Sequence, residues 1–167
     1  MHKHSHNPGH EMGVKPKRKF SDFIPLIVIF AIVIVLTIVS SNLWGRGVTD
    51  SMRFFMGYFF LIFGTFKVIK LKGFADAYST YDLLAMRSTT YGYVYPFIEL
   101  GLAFLFLSGF FLLWANAATL VIMAIGALGV YLKLLQKEEI PCACLGVVFK
   151  IPMTWVTLIE DLLMVLM

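Results

Sequence analysis

The chain has 167 residues, of which 59% are hydrophobic and 14% are charged, and its mean hydropathy is +0.83. Because the apolar residues come in long blocks that would leave very large exposed patches in water, the composition excludes a soluble enzyme, a secreted disulfide-rich scaffold and a nucleic-acid-binding protein. The net charge of +4 is consistent with a membrane protein, since Lys and Arg residues cluster at the edges of the apolar blocks. In such proteins their distribution between the two sides of the bilayer indicates the orientation of the chain. We therefore expect one small all-α domain that spans a lipid bilayer several times.

Residues 1–22 are predicted to form a disordered basic tail, because they contain no apolar run. The tail carries closely spaced histidines that can present imidazoles to copper, nickel or zinc, namely His2, His4, His6 and His10. Met12 can add a thioether ligand. The alternative is a solubilising tail with incidental metal affinity, because a short His tract lacks the geometry of a closed site.

The first apolar block, from about Phe23 to Leu43, contains no charge and meets the length of about 20 residues that a membrane-spanning helix needs. We assign residues 23–44 to an N-terminal transmembrane helix. A cleavable signal peptide is the competing interpretation, but the apolar core of a signal peptide is shorter than this block.

Residues 53–167 are predicted to form a four-helix membrane domain. The polytopic bundle then has five spans, the last four at about residues 53–70, 93–114, 117–135 and 153–167. The break Trp114-Ala115-Asn116 predicts a tight antiparallel hairpin between the third and fourth spans. Residues 73–92 are expected to be a loop.

Two charges at bilayer depth are expected to pair. Lys67 lies near one end of the second span, and Glu99 lies about six residues into the third. In antiparallel neighbouring helices these positions have similar depth, and an unpaired charge there costs at least about 2.5 kcal/mol. We predict a buried structural ion pair between Lys67 and Glu99, with a proton or ligand role as the alternative.

The distribution of positive charge predicts the orientation of the chain. With five spans, eleven of the 14 Lys and Arg residues lie on the side of the amino terminus and two on the other side, with Lys67 inside a helix. The positive-inside rule then places the amino terminus, the loop 73–92 and the cysteine loop on the cytoplasmic side of the inner (plasma) membrane.

The chain has only two cysteines, Cys142 and Cys144, and they are separated by one residue. In an extended segment their Cα atoms are about 6 to 7 Å apart, at the upper end of what a disulfide tolerates. A strained disulfide of this kind suits a labile or catalytic thiol pair. Two close thiolates can instead hold a soft metal such as Cu(I), and two inert thiols are the third alternative.

From Arg53 onward the chain resembles the DoxX-like superfamily of small four-helix membrane proteins, and specifically its MauE branch, named for methylamine utilisation. The resemblance is carried by four segments in order: Gly57 to Lys67 (GYFFLIFGTFK), Gly73-Phe74-Ala75 with Tyr78 and Tyr81 following, Pro96 to Gly101 (PFIELG), and Cys142 to Gly146 (CACLG). It implies a redox-associated membrane protein that works with a thioredoxin-like partner in forming disulfides of a periplasmic enzyme, with Cys142 and Cys144 as the catalytic residues. The wider DoxX group implies a membrane quinone as electron acceptor.

The leading hypothesis is a redox-associated component that supports thiol-disulfide or electron transfer through Cys142 and Cys144, as a partner protein rather than a complete enzyme. The main alternative is an accessory protein for binding or transport of a transition metal such as copper, which would use the tail histidines and the cysteine pair. A purely structural membrane subunit is the third class. A cytoplasmic cysteine loop favours a transient catalytic disulfide or Cu(I) binding over a stable disulfide.

Overall fold

The chain folds as an all-α bundle in a computed structural model that describes residues 24–45 and 47–135. Within these residues the helices are α1 (Ile24–Trp44), α2 (Val48–Ile69), α3 (Leu71–Tyr78), α4 (Thr89–Ser108) and α5 (Leu112–Leu135). All of them except α3 are long and apolar enough to cross a membrane. The prediction of an all-α, multi-pass membrane protein is therefore confirmed. The fifth predicted span, 153–167, lies outside the described residues.

The centre of the bundle is the packing of α2 against α4. Two glycines one above the other on α2 allow the helices to approach closely: a Cβ at Gly57 would come within 2.7 Å of the Leu107 side chain, and a Cβ at Gly64 within 3.1 Å of the Leu100 side chain. Small residues at such contacts are the usual means by which membrane helices approach each other. Beside them, Phe60 is fully buried and its ring lies 6.1 Å from that of Phe106.

Helix α1 packs along α2 through aromatic rings and hydroxyl groups. The Phe30 ring lies 5.9 Å from the ring of Phe59, and the Ser40 and Tyr58 hydroxyls are 2.6 Å apart. The opposite side of α1 exposes branched aliphatic side chains, as a lipid-facing surface requires.

The turn between α4 and α5 lies at residues 109–111, so the predicted break at Trp114-Ala115-Asn116 was wrong. Gly109 adopts the left-handed conformation, with φ of 78°, and its N–H donates to the Leu105 carbonyl oxygen at 3.0 Å. A glycine in this conformation is a common helix terminator, whereas nothing in Trp114-Ala115-Asn116 stops a helix. The Arg53 guanidinium of α2 also donates to the Phe106 carbonyl oxygen at 3.3 Å, which helps to satisfy the end of α4.

Replacement of this glycine gives a first testable prediction. The change Gly109→Ala is expected to lower the free energy of unfolding by about 1–3 kcal/mol, because alanine is strained at a positive φ and its Cβ would lie 2.6 Å from the Arg53 Nη1 atom. The matched control is Gly101→Ala, since a Cβ there meets nothing within 4 Å and alanine is favoured over glycine inside a helix. Denaturing-detergent titration in mixed micelles measures both. Equal stability of the two variants would contradict the assignment of the turn to Gly109.

Residues 71–88, which we call the α3 segment, connect α2 to α4 and contain residues 73–88 of the predicted loop 73–92, whose last four residues belong to α4. The segment is helical in its first half and packs its aromatic side chains into the bundle, with Phe74 and Tyr78 buried. Against its second half lies α5, because a Cβ at Gly129 would come within 2.5 Å of the Tyr81 carbonyl oxygen. The expectation of a plain loop was therefore wrong: this segment is part of the core at one end of the bundle.

Candidate functional site

The structure brings Lys67 of α2 and Glu99 of α4 together inside the bundle. The Lys67 Nζ atom donates to the Glu99 Oε1 atom at 2.5 Å. The two residues are only 7% and 2% exposed. The close contact of α2 and α4 at Gly64 sets this geometry, because the Glu99 Cβ itself lies within 3.4 Å of the position of a Gly64 Cβ. The second carboxylate oxygen, Oε2, is buried without a hydrogen-bond partner among the residues that the structure describes.

Aromatic rings form the walls around the Lys67 ammonium. Its Nζ atom lies 5.3 Å from the centre of the Phe74 ring and 5.0 Å from that of Tyr95. Both distances are within the range of a cation–π interaction, which is strongest where water is excluded. The charge on Lys67 is thus compensated by one carboxylate and by the faces of two rings.

A second polar group lies beside these rings in the α3 segment. The Tyr78 hydroxyl donates to the Asp82 Oδ2 atom at 2.9 Å, and the backbone N–H groups of Leu84 and Ala85 each donate to Oδ1 at 2.9 Å. Asp82 is completely buried. These three hydrogen bonds compensate its burial and fix the turn that follows α3.

Tyrosine side chains link the two polar groups. The Tyr78 ring lies 4.6 Å from the Tyr95 ring and 5.0 Å from the Phe74 ring, so the same two residues that surround Lys67 also contact Tyr78. Burial, together with the neighbouring Asp82 carboxylate, raises the pKa of the Tyr78 hydroxyl well above its usual value. Tyr78 therefore stays protonated and acts as a hydrogen-bond donor to Asp82.

The other predicted site residues lie outside the described residues. These are the cysteines Cys142 and Cys144 and the tail histidines His2, His4, His6 and His10. Within residues 24–45 and 47–135, no group of three or more His, Cys, Asp or Glu side chains is arranged to hold a metal ion. The metal hypothesis thus rests on the tail histidines and the cysteine pair.

Asp82 and Tyr78 were missed as a polar site by sequence reasoning. A signal was available in the local sequence, because an Asp side chain often accepts hydrogen bonds from the backbone N–H groups of the residues two and three positions later, as in an Asx turn. The burial of Asp82 could not be inferred from the sequence, because it depends on the packing of α4 and α5 against the α3 segment.

Comparison with known proteins identifies the family of the chain. The family model described as methylamine utilisation protein MauE matches residues 45–167. No curated protein and no solved structure matches the chain. The family match begins just after α1 and includes α2 to α5, the Lys67–Glu99 pair and the Cys142-Ala143-Cys144 sequence. Since the match covers well over half of the chain, the protein belongs to the MauE family of methylamine utilisation proteins.

Proposed function

We propose that this protein is a redox-associated component of the inner (plasma) membrane that transfers oxidising equivalents through Cys142 and Cys144 to a thioredoxin-like partner. The observation that carries the proposal is the MauE family match, which extends through the Cys-Ala-Cys sequence. The spacing of the two sulfurs supports it, because a disulfide between residues i and i+2 is strained and therefore oxidising. Membership of the wider DoxX-like superfamily is part of the same proposal.

The proposed exchange proceeds in two balanced steps. A thiolate of the partner attacks one sulfur of the Cys142–Cys144 disulfide, forms a mixed disulfide and releases the other cysteine as a thiolate. The second partner thiolate then attacks the mixed disulfide, which leaves the partner oxidised and the cysteine pair reduced by two electrons. An electron acceptor in the membrane has to reoxidise the pair.

A quinone is the acceptor class that the DoxX resemblance implies. In the described part of the chain, the charged groups buried within the spans, Lys67 and Glu99, bind each other and are closed off by packed rings. They do not fit an open quinone site, so we assign no step of the exchange to a quinone.

Trapping of the mixed disulfide tests this function. In cells that express Cys142→Ser or Cys144→Ser, the remaining thiolate can attack the disulfide of the oxidised partner, which forms a mixed disulfide and releases one partner thiolate. The second cysteine that would resolve this bond is missing, so we expect at least one of the two variants to accumulate a disulfide-linked adduct with a thioredoxin-fold protein. The measurement is non-reducing electrophoresis followed by mass spectrometry of the adduct. The double variant Cys142→Ser/Cys144→Ser is the control and should give no adduct.

Two outcomes would contradict the redox function. If neither single variant forms an adduct and Cu(I) protects both thiols of the native protein from alkylation, the metal-binding alternative replaces it. If the thiols are inert toward both oxidant and Cu(I), only a structural role remains.

A membrane-impermeant thiol reagent applied to intact cells determines the compartment of the two cysteines. The charge distribution predicts labelling only after lysis, with the amino terminus in the cytoplasm.

A further inference from the structure

The Glu99 carboxyl group has one oxygen that the ion pair with Lys67 does not use. Its Oε1 atom accepts the hydrogen bond from the Lys67 Nζ atom, whereas Oε2 is buried without a hydrogen-bond partner among the described residues. An ionised oxygen in this position is costly, because negative charge in an apolar interior needs hydrogen bonds. The Oε2 atom is therefore a candidate binding atom inside the bundle.

The packing around this carboxyl group limits the size of its ligand. A Cβ atom at Gly64 of α2 would lie only 3.4 Å from the Glu99 Cβ atom, and the rings of Phe74 and Tyr95 lie against the Lys67 ammonium. Any molecule that bound here would have to displace packed side chains. A proton needs no additional space, so it is the ligand that fits the site.

The aromatic rings allow Glu99 to be neutralised while Lys67 stays charged. The Lys67 ammonium lies within cation–π distance of Phe74 and Tyr95, and these two contacts do not depend on the charge of Glu99. A protonated carboxyl group can still accept the hydrogen bond from Lys67 at Oε1. Binding of one proton would thus change the pair from neutral to singly positive without leaving the ammonium uncompensated.

A column of hydroxyl groups on α4 leads from Glu99 to one end of the bundle. Tyr91, Tyr95 and Glu99 are spaced by four residues and so lie on one side of the helix. The Tyr95 side chain reaches the Glu99 carboxyl group, and the Tyr91 and Tyr95 rings are 6.0 Å apart. Tyr91 is only partly buried, and α4 begins two residues before it, at Thr89. The column therefore ends close to the surface beside the α3 segment.

The opposite direction along α4 offers no such column in the described part of the chain. The same side of the helix continues beyond Glu99 with the buried apolar residues Leu102, Ala103 and Phe106. A proton could be passed between hydroxyl groups on one side of Glu99 only. The α3 end is thus the end from which Glu99 can be reached.

The titratable groups that face this column come from three elements. They are Lys67 from α2, Tyr91 and Tyr95 from α4, and Tyr78 and Asp82 from the α3 segment, where the Tyr78 ring lies 4.6 Å from that of Tyr95. Helix α1 has no titratable side chain, and the other titratable residues of α2 lie at least nine residues before Lys67. Those of α5 are near its carboxyl end, at Tyr131 and Lys133.

We propose that Glu99 is a proton-binding site, and that its proton is exchanged with water at the α3 end of the bundle through the hydroxyl groups of Tyr95 and Tyr91. A hydronium ion at that surface gives up the proton and becomes water. Each tyrosine hydroxyl accepts one proton and donates another, and the Glu99 Oε2 atom receives the last. Lys67 keeps its own proton throughout. The inference does not depend on the proposed redox function.

Solid-state NMR of the full chain in lipid bilayers tests the site. The protein is isotope-labelled at the Glu carboxyl carbon and the Lys side-chain nitrogen, and dipolar recoupling selects a carboxyl group beside an ammonium, as in the Lys67–Glu99 pair. We expect this carbon to change to its protonated chemical shift as the pH is lowered from about 8 to about 4, while the nitrogen keeps the shift of an ammonium. The signal should be absent from Glu99→Gln. If that variant does not fold, Lys67→Arg removes the same recoupled signal.

Two results of this titration would overturn the proton site. If the selected carbon keeps its ionised shift over the whole range, Lys67 and Glu99 form a structural ion pair only. If the nitrogen loses its ammonium shift while the carbon does not change, the proton is exchanged at Lys67 instead. Neither result bears on whether a mixed disulfide can be trapped, so the redox function is judged separately.

A pH jump followed by time-resolved infrared spectroscopy tests the route. Tyr95→Phe keeps the ring beside Lys67 but removes the hydroxyl, so we expect proton uptake by Glu99 to be several-fold slower with the same end point. Tyr93→Phe is the matched control, because Tyr93 lies two residues away on a different side of α4 and should leave the rate unchanged. Equal rates in the two variants would show that the proton does not pass through Tyr95.

Discussion

Replacing Lys67 by methionine is expected to lower the free energy of unfolding by about 3–5 kcal/mol, because the change leaves the Glu99 carboxylate buried without its counter-ion. Glu99 is 2% exposed, and its Oε1 atom receives its hydrogen bond from Lys67. The change at the other member of the pair, Glu99→Leu, leaves the Lys67 ammonium without a carboxylate and should be similarly harmful. Denaturing-detergent titration of the purified variants in mixed micelles measures the loss.

A double-mutant cycle measures the interaction energy between Lys67 and Glu99 separately from the effect of each change alone. The variant Lys67→Met/Glu99→Leu should recover most of the stability that each single change loses, since a well-packed apolar pair often replaces a buried ion pair at little cost. Lys72→Met is the matched control, because Lys72 is exposed next to the same end of α2. If the losses of the two single variants simply add in the double variant, the ion pair does not stabilise the bundle.

The change Asp82→Ala is expected to cost about 3 kcal/mol, because it leaves two buried donors and one partly buried donor without an acceptor. These donors are the Tyr78 hydroxyl and the backbone N–H groups of Leu84 and Ala85. Since the turn after α3 depends on these bonds, we also expect faster hydrogen exchange of the Leu84 and Ala85 amides. Hydrogen exchange with mass spectrometry and thermal unfolding in detergent measure the two effects.

Asp76→Ala provides the comparison for Asp82. Asp76 lies in α3, six residues before Asp82, and its side chain is exposed, so its removal should change stability by less than about 0.5 kcal/mol. The conservative change Asp82→Asn should fall between the two, because an amide oxygen still accepts hydrogen bonds but carries no charge. A stable Asp82→Ala variant with unchanged exchange rates would show that the turn is held by packing alone.

The long spans and the contact between Lys67 and Glu99 could be predicted from the sequence. The spans follow from the length of each apolar block, and the contact follows from the position of each charge within its span. An uncharged block of 20 residues has few alternatives to a membrane helix. Two opposite charges at equal depth on consecutive antiparallel spans are expected to pair, because an unpaired charge inside the membrane is costly. Both inferences need only the length of the helices and their connectivity.

The α3 segment and the α4–α5 turn could not be predicted in the same way. Residues 71–88 mix aromatic, charged and small side chains, and their burial comes from contacts with α4 and α5 that no local pattern encodes. The turn at Gly109 was missed because the flanking apolar run, Phe110 to Trp114, gives no change of hydropathy at the point where the helix ends. Two residues with positive φ, Gly109 and Phe111, lie at that boundary.

The hydroxyl contacts between α1 and α2 have a consequence for the part of the chain that precedes the family match. Tyr58 and Ser51 of α2 have their hydroxyl partners, Ser40 and Ser41, on α1. A protease that cuts the chain near Gly45 would break these two hydroxyl contacts, at about 1 kcal/mol each, only if the fragments separated and also lost the packing of Phe30 on Phe59. The fragments should therefore remain associated after cleavage and co-purify, so that α1 behaves as a subunit of the bundle even when its covalent link is gone.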